Sequence, residues 1–257
     1  MGGSAGCCLF VYEVIGVQRI FDQVERNIDR LVERGVDWSA CATPEQIARA
    51  RSGRLELLFG CDSAVPAEWL GDVRGKKVLC LAGAGGLQAP LLAGAGAEVT
   101  VLDLSQRMLD KDRAVAAREG LTIDIQHGNM CDLTRFEDES FDLVLNPPSL
   151  FYVPDVKPVF CEVYRVLKRG GCFIMCASNP IAYVCEYDAT LGCYKAVNRM
   201  PYCSMDHDDL DEWVEFGHTM ESYIGGQIAC GFVISGYVER QMEDITELYF
   251  MTKGEKR

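Results

Sequence analysis

The chain has 257 residues, 49% of them hydrophobic, enough for one large α/β domain with a sizeable core. Acids outnumber bases 38 to 25, the formal charge is −13, and there is no basic run. This disfavours nucleic acid as a partner, because duplex binding needs Lys and Arg to displace counterions from phosphates. No apolar stretch reaches the length of a membrane span, and no basic region precedes the mildly apolar start "MGGSAGCCLFVYEVIG", so neither an anchor nor a signal peptide is expected.

Residues 18–34 place Ile20, Phe21, Val24, Ile28, Leu31 and Val32 at helical spacing, and Gly35 stops that helix. "TPEQIARARSG" supplies Thr43 as N-cap, Pro44 at the first helical position and Gly53 past the end. "VPAEWLGDVRGKK" reads as a connector to a first strand, 78–82. A helix over about 87–95 and a strand over 98–104 follow. Ser105 can cap the next helix, which Gly120 closes. Then come strand "TIDIQHG", strand "FDLVLNPPS", a helix over about 156–167, and an "RGG" turn into strand "CFIMCAS". This alternation with short turns predicts a parallel sheet with helices on both faces. After Ser178 the rhythm breaks, with little β-alternation to about residue 230. "GFVISGYVE" and "ELYFMTK", joined by the polar link "RQMEDIT", suit an antiparallel pair. "SMDHDDLDEW" reads as a solvated helix start with His207 on the surface.

Thirteen cysteines are scattered without a CxxC pair, and there are only three histidines, so no metal site is expected. The cysteines read as small buried hydrophobes in a reducing cytoplasm, the expected location.

A parallel sheet binds ligands beyond the carboxyl ends of its strands, where strand order reverses. The first strand ends at "AGAGG", where glycines let a ligand approach the backbone and feed a helix N-terminus. Asp103 ends the second strand, where a carboxylate can take both hydroxyls of a ribose. A nicotinamide dinucleotide and S-adenosylmethionine both fit that much. The dinucleotide pattern G-x-G-x-x-G/A puts Gln88 in its third slot, where a long side chain is awkward.

"FDLVL", followed about 20 residues on by "VYRVLKRGGCFIM", resembles the class I S-adenosylmethionine-dependent methyltransferases, over about 78–252. "KKVLCLAGAGGLQAPLLA", "DESFDLVLNPPSLFYVPDVKPVF" and "FGHTMESYIGGQIACGFVISGY" are similar to a bacterial group of methyltransferase-domain proteins, mostly of unassigned substrate, and that match reaches back into the N-terminal helices. The resemblance implies a Rossmann-like, doubly wound, seven-stranded sheet, mostly parallel with an antiparallel final strand. It divides the chain into an N-terminal helical extension, 1–75, and a methyltransferase domain, 76–257, with a substrate-side insert at about 179–230. The extension, including Trp38, is expected to fold over the cofactor as a lid.

The implied cofactor is S-adenosylmethionine, with S-adenosylhomocysteine as product. The resemblance places Ala82, Gly83, Ala84, Gly85 and Gly86 around its methionine part, Asp103 at the ribose, and Leu104 and Met108 near the adenine. Met108 has a plainer alternative as a core residue. Asn129 and Met130 stand where the family often has an acid and an apolar residue holding the adenine. Asn129 could bond the adenine amino group through its side-chain oxygen, or simply cap a turn. Asn146 is expected near the methyl group. Cys80 stands where the family commonly has a carboxylate that helps hold the cofactor's amino group, so Gln88 or the loop backbone must replace it.

"NPPS" is similar to the Asn/Asp-Pro-Pro-aromatic motif of amino-methyltransferases, with Asn146, Pro147 and Pro148 matching and Ser149 in place of the aromatic. Phe151 and Tyr152 come slightly later. If a base is needed, His218 with Glu221 to orient it, in "GHTMESY", is the candidate, against a structural hydrogen-bonding His; His127 is a weaker one. Tyr183, Tyr187, Tyr194, Tyr202 and Tyr223 read as a pocket lining for a small molecule or as the insert's own core. The expected function is methyl transfer to a small organic molecule. The alternatives are amino-group methylation of a nucleobase or protein glutamine, a non-catalytic binding module, and a nicotinamide oxidoreductase.

Overall fold

A computed structural model of the chain describes residues 16–59, 63–83, 85–204, 214–239 and 249–257. The expectations for the first fifteen residues, for His207 with its acidic neighbours and for the link "RQMEDIT" lie outside the described residues. Seven strands form the main sheet: β1 (Lys77–Leu81), β2 (Glu98–Asp103), β3 (Ile123–His127), β4 (Phe141–Asn146), β5 (Leu167–Ser178), β6 (Val233–Glu239) and β7 (Tyr249–Glu255). Their order is β6-β7-β5-β4-β1-β2-β3. The pairs among β1 to β5 are parallel, and β7 runs antiparallel to both β5 and β6. Strand order therefore reverses between β1 and β4. The central strands β1 and β4 are nearly continuous buried apolar runs, as expected of strands covered on both faces.

The main helices are α1 (Val17–Glu33), α2 (Pro44–Arg51), α3 (Gln88–Gly94), α4 (Gln106–Glu119), α5 (Lys157–Val166) and α6 (Gly226–Cys230), the last preceded by a π turn, Glu221–Gly225. Their ends follow the predicted chemistry. Thr43 and Gln46 form a reciprocal capping box at α2 (Gln46 N–H to Thr43 Oγ1, 3.2 Å; Thr43 N–H to Gln46 Oε1, 2.8 Å). Ser105 Oγ accepts the Met108 N–H at 3.1 Å, and Gly120 closes α4 at φ 63°. On α1, Ile20, Phe21, Val24, Ile28 and Val32 are buried. Each such side chain contributes about 1.5–3 kcal/mol to docking the helix.

The structure departs from expectation in four places. The "RGG" turn belongs to β5, because Gly170 N–H donates to the Lys256 carbonyl at 2.7 Å and Lys256 N–H to the Gly171 carbonyl at 3.0 Å. The insert is not devoid of β-structure: Cys185–Asp188 pairs with Cys193–Ala196, and Tyr202–Cys203 with Phe216–Gly217. These strands are too short to show a period. A further hairpin, Leu58–Phe59 with Ser63–Ala64, precedes β1. Finally, Cys161 and Cys230 are disulfide-bonded, tying α5 to α6; the core-strand cysteines Cys80 and Cys176 are buried free thiols, as expected, whereas Cys172 of β5 is only partly buried. No described helix is long and apolar enough to cross a membrane.

Candidate functional site

The carboxyl ends of β1 to β4 converge on a cavity of about 40 Å³ at the reversal of strand order. Ala82, Asp103, Leu104, Asn129 and Met130 line it together with Ser149, Tyr152 and Val153 from the segment after β4. Phe21, Val24 and Ile28 of α1 complete the lining. Four polar contacts hold α1 there: Ser105 Oγ donates to Asp29, the Arg107 N–H donates to Asp29 Oδ1 at 3.3 Å, the Arg107 side chain pairs with Glu33 at 2.8 Å, and His127 Nε2 lies 3.1 Å from Glu25 Oε1. His127 thus fastens α1 to the sheet, a different place from the acceptor side expected of a base.

Asp103 is only 6% exposed, and its Oδ1 accepts the Ser105 N–H at 2.8 Å, which fixes the carboxylate. Asn129 Oδ1 accepts the Cys131 N–H at 2.9 Å, so the turn-capping alternative describes how that oxygen is used here. Asn146 is fully buried at the end of β4. Its Nδ2 donates to the Leu81 carbonyl at 3.0 Å and to Ser149 Oγ at 2.9 Å, while Ser149 Oγ donates to the Pro147 carbonyl at 3.0 Å. These partners of Nδ2, together with Met130 Sδ at 3.8 Å, act as acceptors, which fixes the amide orientation and leaves Oδ1 buried without a partner.

The glycine loop is tightly packed. Ala84 lies outside the described residues. Ala82 has φ 46°, Gly85 φ 111° and Gly86 φ 79°. A Cβ at Gly85 would stand 2.8 Å from Met108 Cε, and one at Gly86 would stand 2.9 Å from Cys41 Sγ and 3.0 Å from Val115 Cγ2. At Gly83 it would come 3.2 Å from Cys80 Cβ. Met108 is 8% exposed and packs on Gly85 rather than lining the cavity, so its core alternative describes its place. Gln88 donates to the Leu58 carbonyl at 3.0 Å, which commits its amide to the N-terminal hairpin and not to the loop's ligand face.

The residue that grips this loop was not anticipated. Asp112 of α4 is fully buried, and its two oxygens accept the Gly85 N–H at 3.2 Å and the Gly86 N–H at 3.1 Å. The signal was present in the sequence: Met108, Leu109, Asp112, Val115 and Ala116 share the buried face of one helix, so a carboxylate interrupts an apolar stripe. Burial first, and the Asp103 carboxylate second, push the Asp112 carboxyl up to about 8, against the two glycine N–H bonds. Cys80 is fully buried, and burial, then Asp112, push its thiol up.

His218 is 6% exposed, with Nε2 2.9 Å from the Val153 carbonyl and 3.2 Å from the Leu150 carbonyl. Carbonyls only accept, so Nε2 carries the proton. Glu221 is exposed at the start of the π turn; backbone carbonyls, not Glu221, orient this ring. Burial holds the His218 pKa below its usual value. The unfolded chain therefore binds more protons near pH 6, and stability falls as pH drops through about 6.5. His218→Gln, which keeps an N–H donor at a similar reach, is expected to flatten the decline in Tm between pH 7 and 5.5 relative to wild type. Parallel Tm–pH curves would remove this linkage.

The predicted tyrosines divide. Tyr183 stacks on Tyr202 at 5.5 Å, and fully buried Tyr223 packs edge-on against His218 and Phe250. Tyr187 and Tyr194 touch across an outer hairpin, with Tyr187 59% exposed. Trp38 does not cover the Asp103 cavity. It lines a second cavity of about 300 Å³, with Arg49, Arg54, Leu87 and Leu91.

This sheet order, with a carboxylate at the end of β2 and a glycine turn after β1, defines a class I methyltransferase fold. Residues 79–175 match the family model described as a methyltransferase domain. The chain is 39% identical over 243 residues to the uncharacterized methyltransferase YbaJ of Bacillus subtilis, covering 89% of this chain and 94% of that one. It belongs to the class I S-adenosylmethionine-dependent methyltransferases, and it is an enzyme of that class. That membership sets the nicotinamide reading aside. The ubiquinone biosynthesis O-methyltransferase of Nitrosococcus oceani is 30% identical over 154 residues, 57% of this chain and 64% of that one. An S-adenosylmethionine-dependent methyltransferase from Mesorhizobium loti shares the fold, with a TM-score of 0.59 at 23% identity over 73% of this chain and 94% of that one.

Proposed function

We propose that the protein methylates a small organic molecule, with S-adenosylmethionine held across the carboxyl ends of β1 to β3. S-adenosylmethionine supplies an activated methyl group when bound. Asp103 would take the ribose hydroxyls, Leu104 and Met130 would flank the adenine, and the backbone of Ala82 to Gly86 would face the methionine part. Met108 and Gln88 would support the loop without touching the cofactor, and α1 would serve as the lid. One lone pair of Asn129 Oδ1 is used by Cys131, and its amide NH2 could still bond the adenine ring.

The observation that carries the small-molecule reading is the enclosure of the acceptor side. His218 anchors the segment after β4 through Leu150 and Val153, and buried Tyr223 packs on His218. Tyr152, between those two anchored carbonyls, lines the cavity. His218 is better read as this anchor than as a base. The O-methyl transfer named for the Nitrosococcus relative and the charge of −13 agree with a small acceptor rather than a nucleic acid. A cytoplasmic location fits the buried free thiols Cys80, Cys176 and Cys203, while the Cys161–Cys230 disulfide counts against it.

One observation favours a second reading. The unpartnered Oδ1 of Asn146 is a buried acceptor beside the cavity, and a donor N–H or O–H on the substrate would satisfy it. Methylation of an amino group through Asn146 would use it in this way. Calorimetry with S-adenosylmethionine and S-adenosylhomocysteine, followed by a tritiated-methyl assay over metabolite, nucleic-acid and protein fractions, tests both. Binding with label passing to small molecules is expected. Label passing to a polymer would replace the first reading by the second, and no binding at millimolar ligand would reject both.

A further inference from the structure

The cavity of about 300 Å³ beside Trp38 shares no lining residue with the one at Asp103. Its walls follow from the local chain. After α2, Leu55 and Leu57 turn into the core, so the alternate residues Arg54, Glu56 and Leu58 line the cavity. Arg49 reaches it from α2, and Leu87 and Leu91 come from one face at the start of α3. The 3₁₀ turn Asp37–Ser39 brings Asp37 and Trp38, the latter 40% exposed. That wall is fastened at two points. Lys111 Nζ donates to the Ser39 carbonyl at 2.6 Å and to its hydroxyl at 2.7 Å, and the Ala42 N–H donates to the Gly86 carbonyl at 2.7 Å. Two charges of each sign line the cavity. Neighbouring charges pair, as Arg51 does with Glu119 and Arg107 with Glu33, but among the described residues Arg49 and Arg54 form no ion pair with Asp37 or Glu56. A simple anion entering here would meet two carboxylates, and a simple cation two guanidinium groups. A ligand carrying one charge of each sign satisfies both.

We propose that this cavity is a binding site, separate from the cofactor site, for a small zwitterion of the α-amino-acid type with an apolar side chain. Its carboxylate meets the guanidinium forks of Arg49 and Arg54. Its ammonium meets Asp37, Glu56 and the face of the Trp38 ring. Its side chain lies on Leu58, Leu87 and Leu91. The volume is at the small end of the usual range for ligand pockets, roughly 300–1,000 Å³, which suits one such molecule. The site does not depend on where the cofactor is held.

The test is calorimetry with L-leucine, L-phenylalanine and two leucine analogues that each lack one charge, 4-methylpentanoate and 3-methylbutylamine. The amino acids are expected to bind, with each analogue about tenfold weaker than leucine, the loss of one charge-assisted contact. Arg49→Gln should narrow the preference for leucine over 3-methylbutylamine, and Glu56→Gln the preference over 4-methylpentanoate. Both side chains are exposed, so the melts of these variants should match wild type. Failure of both amino acids to bind at millimolar concentration overturns the proposal, and this arm needs no variant. Equal affinity for leucine and either analogue, or unchanged preferences in both variants, also overturns it. So does loss of leucine binding in saturating S-adenosylmethionine, because leucine would then be occupying the place of the cofactor's own methionine end.

Discussion

Asp103→Ala is expected to weaken S-adenosylmethionine binding by about 10- to 150-fold, the equivalent of losing a charge-assisted hydrogen-bond pair worth about 1.5–3 kcal/mol. The carboxylate is held in one orientation at the cavity, as the proposed ribose contact needs. It is 6% exposed, lines the cavity, and accepts the Ser105 N–H at 2.8 Å. Its removal also relieves the repulsion that raises the Asp112 pKa, so the fold is not expected to lose stability in proportion. Calorimetry alongside a thermal melt separates the two effects. An unchanged Kd with a normal melt would remove the ribose assignment.

Gly86→Ala is expected to destabilise the protein by about 2–4 kcal/mol, the sum of left-handed strain and overpacking. For a chain of this size that lowers Tm by roughly 5–15 °C. The residue has φ 79°, and a Cβ would meet Cys41 Sγ at 2.9 Å, Val115 Cγ2 at 3.0 Å and the Lys111 carbonyl at 3.2 Å. Its own carbonyl accepts the Ala42 N–H at 2.7 Å, so the loop cannot shift without disturbing the segment before α2. Gly83→Ala, with φ in the ordinary range and its nearest neighbour at 3.2 Å, is the milder control. Equal melts for the two variants would show that the loop is not clamped as described.

The parallel sheet and its caps were legible because their signals are local. Thr43, Ser105 and Gly120 act within three or four residues of themselves, and β1 and β4 are continuous apolar runs. The site was legible only where one strand end decides the place of a side chain, as at Asp103, which lines the cavity. Where a role depends on a partner far along the chain, the sequence was silent. Gln88 is 30 residues from Leu58, Gly86 is 26 from Asp112, and His218 is 65 from Val153. Asp112 itself could have been found by treating a carboxylate on the buried face of α4 as a question. The short hairpins of the insert offered no period to read.

The packing of α1 bears on how fast the enzyme can be loaded. Pockets for ligands of cofactor size usually enclose roughly 300–1,000 Å³, whereas α1 leaves about 40 Å³ above Asp103. On the proposed cofactor placement, entry would wait on an opened population in which Phe21, Val24 and Ile28 have left the strand ends. At high cofactor concentration the observed association rate is then expected to level off at the opening rate of this helix instead of climbing without limit, with the residence time of a bound cofactor set by the same opening. The Arg107–Glu33 pair, half-exposed on both sides, adds little to that barrier; the apolar face of α1 sets it.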